Sequence, residues 1–97
     1  MVGVCESLVF GHKAGIDLNQ MINLLQKGGA GCFSLEKLAP RMLRRDFEPG
    51  FYVEHFIKDL GIALDEARRM KIGLPGLGLA SQLYQALSAQ GFEKKGT

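Results

Sequence analysis

Residues 51–71 read FYVEHFIKDLGIALDEARRMK, the longest uninterrupted helical signal in the chain. Val53, Phe56, Ile57, Leu60, Leu64 and Ala67 recur at steps of 3, 1, 3, 4 and 3. At about 100° per residue these positions form one apolar stripe, which predicts an amphipathic helix. The opposite face is less simple. Phe51 and Ile62 share it with Lys58, and His55 stands between them. Two readings compete. In one, Phe51 precedes the helix and packs locally, and Ile62 is an isolated apolar residue of the kind surfaces carry. In the other, this face is a second contact surface. Glu54 with Lys58 and Asp65 with Arg69 are spaced i to i+4, acid first, so each is expected to support the helix by about 0.2–0.5 kcal/mol.

Helical patterns continue on both sides. DFEPG at 46–50 is a turn by composition. Residues 32–45, CFSLEKLAPRMLRR, predict a short helix kinked or restarted at Pro40, which lacks an amide proton. Its apolar set is Phe33, Leu35, Leu38, Met42 and Leu43. GGAG at 28–31 is a flexible connection; no strand precedes it and no Lys-Ser/Thr follows, so a phosphate loop is not read there. Asp17 is an expected N-cap for a helix burying Leu18, Met21, Ile22 and Leu25. Residues 1–14 suit a helix buried over a wide arc, uncapped at its start, ending at Gly15. Downstream, Gly73 is expected to end the long helix. Pro75 opens the next, which places Leu77, Ala80, Leu83, Tyr84 and Leu87 on one side before Gly91. FEKKGT at 92–97 reads as polar and without a structural terminus. No strand alternation or hairpin signal appears. The expected class is all-α, about five helices joined by short glycine-containing turns.

Composition is that of a globular protein: 46% hydrophobic and 23% charged in 97 residues, room for one small domain with one core. The net charge of +2 is weakly basic and does not imply a nucleic-acid footprint. Arg41, Arg44 and Arg45 are explained by the dipole at a helix end. Cys5, Cys32, His12 and His55 have no zinc-ligand spacing. Two free thiols in a reducing compartment are expected, with a single disulfide left open. No transmembrane run and no signal peptide is read, so a cytoplasmic protein is the expectation.

Chemistry is sparse. Ser7, Ser34, Ser81 and Ser88 lack a nucleophile-elbow context. His55 and Asp59 could pair along one helix, as surface residues often do. Gly76-x-Gly78 lacks the third glycine and the preceding strand of a dinucleotide fingerprint. The residues by themselves support a helical domain with no catalytic set.

The order HKAG (12–15), GGAGCFSLEKLAPRML (28–43), DFEPGFYVEHFIKDLGIALDEARRM (46–70) and LPGLGLASQLYQAL (74–87) resembles the C-terminal domain of the β-hydroxyacid dehydrogenases. That family includes 3-hydroxyisobutyrate dehydrogenase and tartronate semialdehyde reductase, and its helical domain is of the 6-phosphogluconate dehydrogenase type. The resemblance covers essentially the whole chain. It implies an N-terminal Rossmann domain that binds NAD or NADP, with 1–97 as the helical domain that closes over the cofactor and makes homo-oligomer contacts. It implies a small hydroxyacid as substrate. Lys58, in the KD pair, matches the family lysine that reaches the cofactor. Asp59 and Phe51 match its neighbours near the nicotinamide and substrate pocket.

The departures are as informative. The GxGxxG fingerprint, the glycine-rich substrate motif and the catalytic lysine of a GxxxKxxxN helix are absent. Lys13 is too late in its helix to replace that lysine. Phe33 stands where the family often has tryptophan, and the family continues beyond Thr97. The resemblance therefore implies a fragment trimmed at both ends, inactive alone, with no catalytic or metal-ligating residue of its own. Uncovered apolar surface is expected around Val2, Val4, Leu8 and Val9. A non-catalytic helical interaction or oligomerisation module is the alternative, and a small nucleic-acid-binding helical protein a third.

Overall fold

The computed structural model describes residues 1–97. Five α-helices and one π-helical stretch follow in order: α1 (Val2–Lys13), α2 (Leu18–Gln26), the π-helical Ser34–Leu38, α3 (Ala39–Leu43), α4 (Val53–Met70) and α5 (Pro75–Ala89). The expected all-α class is the one observed. The expected single core is not: the chain forms two compact units, Met1–Asp46 and Phe47–Thr97, each with its own apolar cluster. No helix is long and apolar enough to cross a membrane.

In the first unit Leu8 of α1, Ile22 of α2, Leu35 and Ala39 make the core, with Val4, Met21, Leu25, Met42 and Leu43 against it. Asp17 caps α2 as its position predicts, its carboxylate accepting from the Gln20 amide at 3.0 Å. Such a cap is worth about 1 kcal/mol. Gly15, at φ 73°, supplies the left-handed residue after α1. Pro40 cannot donate to an earlier carbonyl, and the helix accommodates it by widening just before it. The Ala39 amide reaches back five residues to the Ser34 carbonyl. Ala39 itself is fully buried, where no larger side chain would fit without displacement. Arg41 grips Asp46 through two bonds, Nε to Oδ2 at 2.8 Å and Nη2 to Oδ1 at 3.0 Å. That arginine closes its own turn, which leaves less of the basic cluster for a nucleic acid. The wide burial expected of α1 is reduced to Leu8 and Gly11. Of the patch expected to be uncovered, Val9 is 69% exposed, Val2 and Val4 are half-buried and Leu8 is inside; Phe10, 72% exposed, joins Val9.

In the second unit the periodic stripe of α4 does what its spacing predicts. Val53, Leu60 and Ala67 are buried, and Phe56 and Ile57 pack against the cluster that Val53 and Leu60 form with Tyr84 of α5. Phe56 meets Tyr84 edge-on at 4.9 Å. The left-handed stop of α4 is Lys71, at φ 58°, rather than Gly73. In α5 the inward positions are Ser81 and Tyr84; Leu83 and Leu87, expected inside, are exposed. The 92–97 stretch, which reads as polar and without a structural terminus, is bonded back onto the start of α4, with a bridge between Tyr52 and Gly96.

Candidate functional site

The buried stripe of α4 fixes what the rest of that helix can present. Half a turn away from Val53, Leu60 and Ala67 stand His55, Lys58, Asp59 and Ile62, all exposed. They follow at i, i+3, i+4 and i+7, one continuous face. Lys58 Nζ lies 3.1 Å from Asp59 Oδ1, and the lysine side chain is 65% exposed. The ammonium thus has a carboxylate neighbour and open solvent beyond it.

Glu54 is not that neighbour. The Lys94 ammonium donates to the Glu54 carboxylate, so the expected i to i+4 pair gives way to one 40 residues apart in sequence. The hydrogen bond from Lys94 holds the Glu54 carboxyl below the usual carboxylate range, and the same bond holds the Lys94 ammonium above its usual value. The pair is therefore formed at neutral pH and opens as the pH falls through the depressed Glu54 value. Asp65 and Glu66 pair with Arg68 and Arg69 at i+3, displacing the expected Asp65–Arg69 contact.

Phe51 lies ahead of α4, since Tyr52 is the N-cap. Its expected place on the Lys58 face is accordingly not set by helical periodicity. Contact runs through His55: its ring centroid is 6.1 Å from Phe51 and 5.6 Å from Tyr52, the latter edge-on. Phe51 also approaches Phe56 at 6.3 Å, which joins it to the core side, yet it stays 44% exposed. His55 Nε2 lies 3.9 Å from Glu54 Oε1 and not against Asp59.

The face therefore offers an exposed cation, a carboxylate beside it, an imidazole and an exposed aromatic ring at its head. That set can hold an anionic group and a flat ring; it contains no nucleophile–base pair. No three side chains of His, Cys, Asp or Glu are grouped to hold a metal. Tyr52 and Lys94 were illegible as parts of this region. Tyr52 looks like an ordinary turn residue, and Lys94 joins only because the 92–97 stretch folds back; Lys94 Nζ sits 5.9 Å over the Tyr52 ring.

The whole chain, residues 1–97, matches the family described as NAD-binding of NADP-dependent 3-hydroxyisobutyrate dehydrogenase. An uncharacterized oxidoreductase, YkwC, from Bacillus subtilis is 52% identical over 97 residues, covering all of this chain and 34% of that protein. A probable 3-hydroxyisobutyrate dehydrogenase-like protein of Arabidopsis thaliana, named as mitochondrial, is 50% identical across the whole chain and 29% of its own length. The 2-hydroxy-3-oxopropionate reductase of Escherichia coli is 35% identical over 88 residues, which cover 91% of this chain and 30% of the enzyme. The chain thus spans about a third of the length of the relatives it matches. A crystal structure of 3-hydroxyisobutyrate dehydrogenase from Salmonella typhimurium shares the fold, with a TM-score of 0.89 at 24% identity over 98% of this chain and 33% of that one. With an end-to-end family match and this helical architecture together, the chain belongs to the NADP-dependent 3-hydroxyisobutyrate dehydrogenase family.

Proposed function

We propose that residues 1–97 are the helical, cofactor-closing domain of a longer NAD(P)-dependent dehydrogenase, one that interconverts a small hydroxyacid and its oxo-acid or semialdehyde. The carrying observation is the exposed Lys58–Asp59 pair on the face of α4 away from its own core, in a chain that matches the family throughout. The residues fit a nicotinamide dinucleotide. Such a ligand presents flat rings and anionic phosphates, and this face presents the exposed ring of Phe51 and the ammonium of Lys58. In this reading Lys58 binds an anionic or carbonyl oxygen of the cofactor, Asp59 fixes the ammonium, and Phe51 shields the ring edge from water. When bound, the nicotinamide supplies or accepts the hydride. The proton-transferring lysine belongs to another part of the enzyme.

The test is an assay of the intact protein with NAD and NADP against a panel of small 2- and 3-hydroxy acids. Formation of reduced nicotinamide with at least one acid is expected. No turnover with any acid, and no binding of reduced cofactor by fluorescence titration, would remove the reading.

The same reading makes the domain a contact between copies. Val9 and Phe10 of α1 supply exposed apolar area that association would cover. Concentration-dependent sedimentation is expected, and a strictly monomeric profile at high concentration would count against it. Cys5 and Cys32 are both free thiols, which suits a cytoplasmic location, checked by cell fractionation.

A further inference from the structure

The start of α4 is held in an unusual way. A helix leaves its first amides without intrahelical partners, and a side chain at the N-cap ordinarily takes one. Tyr52 cannot: it makes no side-chain cap. Backbone carbonyls from far along the chain serve instead. The Val53 amide donates to the Lys95 carbonyl at 3.0 Å and the Glu54 amide to the Glu93 carbonyl at 3.1 Å. The pairing then runs the other way. The Gly96 amide donates to the Phe47 carbonyl at 2.9 Å, and the Thr97 amide to the Phe51 carbonyl at 3.1 Å. Residues 47–54 are therefore bonded as both donor and acceptor by residues 93–97.

Side chains close the arrangement. Lys94 reaches the Glu54 carboxylate. The approach at Gly96 is tight enough that an added Cβ would stand 3.0 Å from the Glu48 carbonyl oxygen and 3.3 Å from the Pro49 Cα. Tyr84, buried on α5 with its ring against Phe56, donates its hydroxyl to the Thr97 carbonyl at 2.9 Å. A relay results. Tyr84 holds Thr97, and Thr97 holds the backbone of Phe51, whose ring lies between His55 and Phe56 and stays 44% exposed.

We propose that residues 93–97 form a clasp on the Phe51 turn, and that Tyr84 is a positioning residue that sets Phe51 at the head of the Lys58 face. This rests on the reading of that face as the cofactor side. A helix cap alone would need only the carbonyls of Glu93 and Lys95. The bonds to Phe47 and Phe51, and the Tyr84 hydroxyl behind them, act on the turn ahead of the helix.

Tyr84→Phe tests it, since the ring stays and only the hydroxyl is lost. In the full 97-residue chain, amide exchange at Val53, Glu54, Gly96 and Thr97 is expected to quicken about tenfold while Leu60 and Ala67 keep their rates. Gly96→Ala should give the same pattern by crowding the clasp from the other side. In the intact enzyme, Tyr84→Phe is expected to raise KM for the nicotinamide cofactor about tenfold while kcat falls no more than about threefold. Unchanged exchange at the four amides in both variants overturns the proposal. So does an even acceleration throughout α4 and α5, which would mark a general loss of stability. A normal KM in Tyr84→Phe beside a raised one in Lys58→Ala overturns the clasp alone. A normal KM in both overturns the reading of the face and the clasp with it.

Discussion

Lys58→Ala in the intact enzyme is expected to weaken cofactor binding by about 10- to 100-fold, with the helix intact. A hydrogen bond to a charged group contributes about 1.5–3 kcal/mol, and about 1.4 kcal/mol is one decade in affinity. Here the ammonium is not spent on the fold. Its carboxylate neighbour is the adjacent Asp59, and Glu54, which could have tied it into α4, is taken by Lys94. Truncation should therefore leave far-UV circular dichroism and the melting temperature close to wild type. Asp59→Asn is a milder companion: the lysine keeps its charge and loses its anchor, so a smaller rise in the dissociation constant is expected. Fluorescence titration with reduced cofactor reads both. Wild-type affinity in Lys58→Ala would reduce Lys58 to a solvated partner of Asp59.

What the sequence made legible was periodic or local. The α4 stripe could be read because six apolar positions share one side of a helix, and Asp17 because a cap acts on an amide three residues ahead. Pro40 announced its own disruption for the same reason. The head of the candidate site was hidden because it is assembled across the chain. Lys94 and Glu54 are 40 residues apart, and the clasp is made by backbone carbonyls, which carry no residue code. Two local expectations failed where tertiary packing chose differently. Glu54 had Lys58 within helical reach and took Lys94. Leu83 and Leu87 had the hydrophobicity for the interior, yet Ser81 and Tyr84 are the α5 residues inside. The assignment of Lys58, Asp59 and Phe51 to a cofactor came from resemblance, since charge and spacing alone read equally well as a solvated face.

Leu60→Ala and Ile62→Ala separate the two faces of α4 by stability. Leu60 is 5% exposed and shares its cluster with Val53 and Tyr84, while Ile62 is 57% exposed. Removing three buried carbons removes their transfer free energy and leaves a cavity, so Leu60→Ala is expected to cost about 2–5 kcal/mol. A unit of roughly fifty residues has about 3–8 kcal/mol of stability in total at ordinary values per residue. The loss is thus comparable with everything that holds Phe47–Thr97 together. Amide protection should collapse along α4, α5 and the clasp, and the urea midpoint should fall steeply. Leu60→Met, which keeps the volume, should cost less than about 1.5 kcal/mol. Ile62→Ala, two residues away, should stay within about 0.5 kcal/mol of wild type, because its side chain is in water in this chain. If Ile62→Ala leaves the 97-residue chain unaltered but destabilises the intact enzyme or its cofactor complex, the outward face of α4 has a partner there, and Lys58 shares that surface.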